Sequence, residues 1–203
     1  LQMLFKLLGL PFLPNYIDAQ AKVRIRFSQR DELTVLALAG IDNMRLNTDE
    51  KGEETEYLLS YLPRLRQETF TVGASYRHYA GRHAQTVTLS HSYLNNRNTK
   101  YRGNDESSED NLTLRLRAEN RSYLGRWTLR EGVELSYSHY TNRTFRRFFA
   151  EQASTLNYRT RLGLTGWGAF VAADYASADD RLTVSAGIRA DGSDFSAETA
   201  RPW

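Results

Sequence analysis

A strict two-residue alternation of apolar and polar side chains constrains this chain more than any other feature. In residues 112–119, Leu112, Leu114, Leu116 and Ala118 alternate with four polar residues, of which three are charged. A period of two indicates a β-strand with one apolar face and one wet face. A packed soluble core could not bury so many arginines without partners, so the polar faces must line water.

The same alternation recurs along the chain and predicts eight strands between residues 19 and 192. Strand 32–42 is apolar on both sides, so its facing stays unassigned. Glu131 breaks the pattern of the sixth strand and indicates a bulge or a sheltering neighbour. Gly163, Gly166 and Gly168 indicate a bend or bulge in the seventh. The predicted strands are 20–28, 32–42, 67–79, 84–95, 112–119, 127–137, 154–175 and 181–191.

The connections between these strands are of two unequal kinds. Short turns alternate with long polar stretches at 43–66, 97–109 and 141–153. Transmembrane barrels show this asymmetry, with short periplasmic turns, long extracellular loops and alternating strands that average to a hydrophilic composition. The mean hydropathy of −0.59 is compatible with such a barrel. The predicted fold is therefore all-β, an antiparallel up-and-down transmembrane β-barrel, and a soluble antiparallel sheet is the alternative.

Composition supports the barrel and argues against other classes of protein. The 12 Tyr, 9 Phe and 3 Trp suit the aromatic belts that form where a barrel meets lipid headgroups. No stretch reaches the roughly 18 apolar residues of a spanning helix. The net charge of +3 is too small to indicate nucleic-acid binding. Outer-membrane lipid is the first predicted partner.

The topology predicts that these strands belong to something larger. If the short turns are periplasmic, the first strand starts and the eighth ends on the extracellular side, whereas a complete single-chain barrel is expected to keep both ends in the periplasm. We therefore expect four consecutive hairpins of a larger barrel over 19–192. Residues 1–18 are expected to form a rim loop or a short helix over 4–10, and residues 193–203 the start of an extracellular loop.

Arginines on the polar faces are the one constellation with a functional interpretation. A lumenal wall of arginines could attract anionic ligands. The alternative is that they pair with Glu119, Glu134 or Asp191, or with a plug inside the barrel. The candidate lumenal residues are Arg24, Arg26, Arg115, Arg117, Arg161, Arg189 and Asp191.

A second basic cluster lies in the predicted loop 141–153. Ligand capture would occur in such a loop, because binding residues concentrate in loops held by a rigid scaffold. The alternative is a loop folded back onto the rim. The cluster consists of Arg143, Arg146 and Arg147 with Phe145, Phe148 and Phe149.

The spacing of the histidine, serine and acidic residues matches catalytic or metal-binding motifs no better than chance. His78, His83, His91 and His139 occur singly, at no zinc-site spacing. No nucleophile elbow or triad spacing is present. The acidic stretch 104–110 lacks the ligand order of a dedicated calcium site. We therefore predict no enzyme activity, no metal and no cofactor.

Two segments near the end of the chain resemble the barrel of TonB-dependent receptors. They are Gly166-Trp167-Gly168-Ala169-Phe170 and Leu182-Thr183-Val184-Ser185-Ala186-Gly187-Ile188-Arg189-Ala190-Asp191. The opening stretch Leu7-Leu8-Gly9-Leu10-Pro11-Phe12-Leu13-Pro14-Asn15-Tyr16 resembles receptors of Bacteroidota. The resemblance implies a barrel of about 22 strands around a plug. It also implies ligand binding from outside, and a TonB energy-coupling protein that pulls on the plug through an N-terminal box. Plug and box would lie outside these 203 residues.

Three functions follow as hypotheses. The first is energised uptake of a small-molecule, peptide or glycan ligand across the bacterial outer membrane. The second is a passive porin or structural barrel, whose basic lumen sets anion preference. The third is an outer-membrane enzyme, which would need a Ser, a His and an acid converging near one rim.

Overall fold

The structure is a computed structural model that describes residues 2–47, 53, 57, 62–100, 105–148, 154–179 and 181–195. A helix, α1 (Gln2–Leu7), precedes a single eight-stranded antiparallel sheet in which every strand pairs with its neighbours in the chain. The all-β, up-and-down prediction is confirmed. The strands are β1 (Phe12–Arg26), β2 (Asp31–Leu46), β3 (Pro63–Ala80), β4 (His83–Lys100), β5 (Asp105–Leu124), β6 (Trp127–Phe148), β7 (Ser154–Ala176) and β8 (Thr183–Ser193).

The tight ends of the hairpins agree with the sequence. Gly81 and Gly125 adopt φ of 60° and 67° in the two-residue turns after β3 and β5. Glycine enters this region without strain, and hairpin turns that match the strand twist require it at their first central position. In the first turn, the Ser28 hydroxyl donates to the Asp31 carboxylate at 2.6 Å.

The strands extend further on the extracellular side than the alternation indicates. β6 continues to Phe148, so the prediction of a loop from residue 141 is wrong for its first part. β1 begins at Phe12, inside the segment expected to be rim, and the Asn47 amide donates to the Pro11 carbonyl at 2.9 Å. Above the lipid both faces of a strand meet water, so pairing continues while the hydrophobic alternation disappears.

One face of the sheet carries an exposed apolar band bounded by aromatic residues. On β6 this outer face runs from Trp127 through Val133 and Leu135 to Tyr137, each about half exposed. The ring of Trp127 lies 4.9 Å from that of Tyr175 on β7. Ten residues at about 3.4 Å each, tilted by about 40°, span roughly 26 Å of height, which matches the lipid-facing band of an outer-membrane barrel.

Register assigns the facing of β2, which the sequence left open. Residues directly opposite on antiparallel strands point to the same face. Val35 lies opposite Val23 on β1 and Ala74 on β3, so it faces lipid. Leu36 lies opposite Lys22 and therefore belongs to the lumenal face.

The expected bulges are absent from the described strands, and this prediction is wrong. Pairing of β6 with β7 is continuous from Trp127 to Phe148, and pairing of β5 with β6 passes through Glu131 without interruption. The alternative reading of Glu131 is confirmed, because the Asn120 side-chain amide donates to its carboxylate at 2.9 Å.

The glycines of β7 provide space for neighbouring side chains. A Cβ at Gly168 would lie 2.5 Å from the Asp191 carboxylate and 2.6 Å from the Arg189 guanidinium. A Cβ at Gly166 would meet the Ser136 hydroxyl at 2.9 Å. Pairing of the strand therefore continues through the glycines while its neighbours' side chains occupy the positions above them.

Candidate functional site: the lumenal wall

The lumenal face of the sheet is built from polar residues that register brings into rows across the strands. Residues in one row are cross-strand neighbours, with Cβ atoms roughly 5 Å apart. One row places an arginine, a glutamate and an aspartate on three different strands of the same face. It consists of Thr88, Arg117, Glu134, Gly168 and Asp191.

The arginines of this row and its neighbours are held by carboxylates of the wall itself. Arg117 donates from one nitrogen to Glu119 at 2.9 Å and approaches Glu134 with the other at 3.6 Å. Arg115 reaches Glu134 at 3.4 Å. Arg189 pairs with Asp191 at 2.6 Å. Pairing with Glu119, Glu134 and Asp191, which the sequence left as the alternative, is what the structure shows.

An aromatic ring fixes the centre of this network. The Arg117 guanidinium carbon lies 5.0 Å from the centroid of the Phe170 ring. That ring covers Gly132, where a Cβ would meet Phe170 at 2.6 Å and the Ala118 carbonyl oxygen at 2.8 Å. A guanidinium over an aromatic face is attracted by the ring's quadrupole. The glycine therefore admits the ring that supports the arginine.

Arg24 and Arg26 lie apart from this network. They belong to β1, which three strands separate from β5, and they lie near the turn end of the barrel. Arg24 forms a close hydrogen-bonded ion pair with Glu32 across the first hairpin. Arg26 lies opposite the same glutamate in the register. The predicted lumenal arginines thus form two separate groups.

The placement of Arg161 in the lumen is wrong. Arg161 lies opposite Thr141, which lies opposite Asp110, and this row belongs to the outer face of the sheet. The lumenal positions on either side of it are Thr160 and Leu162, and Leu164 follows on the same face. Two leucines on the inner face made the apolar side of β7 appear to be the lipid side, and this inverted the facing.

The loop cluster is also placed differently from the prediction. Arg143, Arg146 and Arg147 lie on β6, not in a loop. Arg143 and Arg147 belong to the outer face, whereas Arg146 belongs to the lumenal face at the extracellular end. The Arg147 guanidinium carbon lies 5.4 Å from the ring centroid of Phe145. Phe149 lies outside the described residues.

The histidines and acidic residues have structural partners or lie on the outer face. His78 contacts Asp31 at 2.7 Å, and His83 contacts the Ser122 hydroxyl at 2.9 Å. His91 and His139 share rows with outward apolar residues. Within the described ranges, no cluster of three or more potential metal ligands is present. Residue 104 of the acidic stretch lies outside the described residues.

Sequence reasoning missed a polar row at the extracellular mouth. The Asn142 side-chain amide donates to Glu109 at 3.2 Å and to the Tyr140 hydroxyl at 3.3 Å, and Thr144 donates to Asn142 at 2.8 Å. Asparagines at alternate positions, Asn96 and Asn98, were the available signal, but they fell at the margin of a predicted loop. The row consists of Gln67, Asn96, Glu109, Asn142 and Thr160.

The turn after β7 contains a carboxylate with a perturbed pKa outside the membrane. The Ser177 hydroxyl donates to Asp179 at 2.6 Å, and the Arg181 amide donates to the same carboxylate at 3.4 Å. These hydrogen bonds hold the pKa of Asp179 below its ordinary value. The carboxylate therefore stabilises the turn in its ionised form.

Comparison with known proteins agrees with the barrel. The family model described as "TonB dependent receptor-like, beta-barrel" matches residues 12–202. The chain belongs to this family. TonB-dependent receptors are receptors and transporters of the outer membrane of Gram-negative bacteria, and this receptor barrel lies in that membrane. No curated protein matches the chain.

Solved structures share the fold at low sequence identity. The ferripyoverdine receptor of Pseudomonas aeruginosa is 13% identical, with a TM-score of 0.69 over 90% of this chain and 31% of its own. The copper transporter OprC is 12% identical, with a TM-score of 0.68 over 89% of this chain and 28% of its own. The ferric preacinetobactin receptor BauA of Acinetobacter baumannii is 8% identical, with a TM-score of 0.62 over 92% of this chain and 35% of its own. The chain spans about a third of the length of these proteins.

Proposed function

We propose that this receptor barrel forms part of the wall of an energised importer, which binds a ligand at its extracellular mouth and passes it through a plugged barrel. The supporting observation is the match of the family's barrel model to residues 12–202. The strands within this range form a sheet with one lipid-facing and one polar face. The chain supplies wall and mouth. The plug and the remaining strands would complete the transporter.

The partners follow from this proposal. They are outer-membrane lipid, the rest of the barrel, the plug, the TonB energy-coupling protein acting through an N-terminal region, and the imported ligand. Nucleic acid is not a proposed partner, and neither a cofactor nor an enzymatic step is part of the proposal.

The ligand would meet two different surfaces on its way through. At the mouth, the row containing Asn96, Glu109 and Asn142 offers amide donors and acceptors, which suit a small molecule, peptide or glycan with many polar groups. Arg146 faces the same side. Deeper, Arg115, Arg117, Arg189 and Asp191 form the paired network, and Arg24 and Arg26 lie near the periplasmic turns.

Arginines that are paired with carboxylates add little to the electrostatic field of the lumen, but they can still form hydrogen bonds with a plug or a ligand that moves past them. Because the carboxylates of the wall neutralise Arg115, Arg117 and Arg189, the lumen attracts anions less than the arginine count indicates. Such groups can instead exchange hydrogen bonds with a plug or a passing ligand. The same neutralisation weighs against the alternative of a passive anion-selective porin.

Electrical conductance of the full-length protein in planar bilayers separates the two functions. An importer closed by its plug is expected to remain silent as purified and to conduct after deletion of the plug. A passive porin would conduct without any deletion. Absence of an upstream plug domain from the complete reading frame would overturn the import proposal.

Energised uptake is tested in cells. We expect a panel of labelled ferric chelates, peptides and oligosaccharides to include at least one substrate whose accumulation requires both the receptor and TonB. Accumulation of the same substrate in cells lacking TonB would contradict energised import.

We also propose that the receptor is of the Bacteroidota type. The support is the sequence resemblance of the stretch 7–16 to such receptors. This stretch runs from the end of α1 into β1, and its Pro11 carbonyl accepts a hydrogen bond from the Asn47 backbone amide, just after β2. The complete sequence of the gene and its neighbours tests this, since clustering with receptors of another phylum would overturn it.

A further inference from the structure

A concavity lies on the outer, lipid-facing surface of the sheet, across β4, β5, β6 and β7. Its volume of about 530 Å³ falls within the range of small-ligand sites, roughly 300–1,000 Å³. Ala118 lies between Val87 and Val133 in one row of the register, so its small side chain leaves a depression between two larger ones. The other outward-facing residues that line it are Gln85, Asn120, Glu131, Ala169 and Val171.

The concavity is apolar toward the bilayer centre and polar toward the periplasm. The next row toward the short turns contains Gln85, Asn120 and Glu131. On β4 and β5 the polar residues His83 and Ser122 follow, so on these strands the apolar surface ends at this row. A phospholipid of the inner leaflet has the same polarity along its length, because its headgroup lies toward the periplasm and its acyl chains toward the centre. The apolar row consists of Val87, Ala118, Val133 and Ala169.

Glu131 brings a carboxylate with little compensation to this surface. It lies on the bilayer side of the belt residue Trp127, on the same strand and the same face. Ionisable side chains in the lipid zone of a membrane protein are costly, and they mark functional sites where a partner is expected. Among the described residues, Glu131 accepts one hydrogen bond, from the Asn120 side-chain amide at 2.9 Å, and no ion pair joins it to a basic side chain.

Two neighbouring carboxylates, in contrast, are already satisfied by the chain. Asp31, in the same row on β2, accepts hydrogen bonds from the Ser28 and Tyr76 hydroxyls, each at 2.6 Å, and contacts His78 at 2.7 Å. Glu119 also lines the concavity, but it belongs to the lumenal face and pairs there with Arg117 and Arg121. The uncompensated negative charge of this surface is therefore that of Glu131.

A chain of hydrogen bonds connects this carboxylate with the periplasmic turn. The Asn120 amide that donates to Glu131 also donates to the Ser122 hydroxyl at 3.1 Å, and this hydroxyl contacts His83 at 2.9 Å. The Asn120 side-chain oxygen is buried and has no hydrogen-bond partner. Gln85 lies directly opposite Asn120 and adds a further amide oxygen. The polar end of the concavity thus offers three acceptors, of which one is charged, and it opens toward the headgroup region.

We propose that this concavity binds an inner-leaflet phospholipid whose headgroup carries a primary ammonium group. An ammonium group has three N–H donors and a positive charge, which match the acceptors of Glu131, Asn120 and Gln85. The phosphate group lies toward the short turns, away from the carboxylate, and an acyl chain covers Ala118 and Ala169. The proposal rests on the orientation of the barrel in the membrane and does not depend on import.

The test uses the full-length receptor in detergent, with phosphatidylethanolamine and phosphatidylcholine of identical acyl chains as probes. Native mass spectrometry measures how much of each lipid stays bound. Choline carries the same charge as ethanolamine but has no N–H donor, so we expect the receptor to bind phosphatidylethanolamine about tenfold more tightly. The singly and doubly N-methylated lipids should fall stepwise between the two, a result that requires no variant to fold.

Two matched substitutions locate the site. Glu131→Gln keeps the shape of the side chain and an acceptor for Asn120 but removes the charge, and it should abolish the preference for phosphatidylethanolamine. Asp110→Asn removes a carboxylate charge from the same face at its extracellular end, where Tyr93 and Asn95 contact it, and should leave the preference unchanged.

Filling the depression separates the role of the acyl chain from that of the headgroup. Ala118→Leu should weaken the binding of both lipids by a similar factor, because it occupies the space of the chain and leaves the polar row intact. Thermal unfolding supplies an independent readout. Phosphatidylethanolamine should raise the Tm of the unaltered receptor and of Asp110→Asn, and should raise that of Glu131→Gln little.

Three outcomes would overturn the proposal. The first is equal binding of phosphatidylethanolamine and phosphatidylcholine by the unaltered receptor. The second is a preference for phosphatidylethanolamine that survives in Glu131→Gln. The third is a receptor dimer in detergent that Glu131→Gln dissociates, in the absence of any lipid preference, which would assign the surface to a second copy of the chain.

Discussion

At the scale of single residues, glycine decides what the lumenal wall can hold. Gly132 and Gly168 each leave open a position that a neighbouring Phe170, Arg189 or Asp191 side chain occupies. Their role follows from what stands opposite them on the next strand. From the sequence pattern alone, a glycine within a strand can equally indicate a bulge. The register of the strands shows which large neighbouring side chain occupies the space that the glycine leaves.

Replacing Gly132 by alanine should destabilise the barrel. The new Cβ would lie 2.6 Å from the Phe170 ring and 2.8 Å from the Ala118 carbonyl oxygen, so ring or backbone must move. We expect a loss of about 1–3 kcal/mol, typical of overpacking. The midpoint of urea unfolding of the receptor in lipid vesicles measures this. Gly73→Ala is the control, because its Cβ would find its nearest atom at 3.4 Å. An equal effect of both substitutions would contradict the steric explanation.

The turn carboxylate of Asp179 should make the turn sensitive to acid. Its pKa is lowered by the Ser177 hydroxyl, so its stabilising effect is present above the ordinary aspartate pKa and is lost as pH falls through the lowered value. We expect the Arg181 amide, which donates to this carboxylate, to lose hydrogen-exchange protection on acidification. Asp179→Asn should lack this pH dependence. A pH profile identical to that of the unaltered receptor would argue against the assignment.

At the scale of strands, sequence predicts well where one face meets lipid and the other meets water. β5 and β8 were recognisable for this reason. β2 was not assignable, because Leu36 and Leu38 are apolar on the lumenal side. Leu162 and Leu164 caused the same difficulty on β7 and led to the wrong facing of Arg161. The polar row at the mouth was missed because strands above the lipid carry no alternation.

A pair of arginine substitutions tests the facing of β2. Val35→Arg would place a charge in the lipid-facing band. It should lower the free energy of unfolding by about 2–4 kcal/mol, the cost of an arginine near the bilayer midplane. Leu36→Arg would place it on the wet lumenal face beside Lys22 and should cost much less. The test is to measure the free energy of unfolding of both variants in lipid vesicles. A larger loss of unfolding free energy for Leu36→Arg than for Val35→Arg would contradict the facing assigned to β2.

At the scale of the whole molecule, these strands form an open sheet. β1 pairs only with β2 and β8 only with β7 in the described part of the chain, so each has one edge without a partner. Unpaired backbone groups are costly in lipid. How these edges are covered depends on strands that lie beyond this sheet, and no side-chain pattern within it reveals them.

The isolated chain of 203 residues should therefore fail to form a sealed pore. We expect refolding into detergent to give mixed oligomers joined along their edges, and vesicles containing the chain to stay impermeable or leak irregularly. Size-exclusion chromatography and heat-modifiable migration on gels measure this. A monodisperse, heat-resistant barrel would contradict the expectation.

The length of β6 has a consequence for how a ligand arrives. Its 22 residues at about 3.4 Å, tilted by about 40°, give a wall roughly 57 Å tall, about twice the height of the apolar band. Half of the wall therefore stands outside the bilayer and is fixed by backbone hydrogen bonds to its neighbours. In the importer proposed above, an arriving solute would enter a stiff shaft well before it reached the depth of the lipid, so we expect molecules wider than the shaft to be excluded at the cell surface.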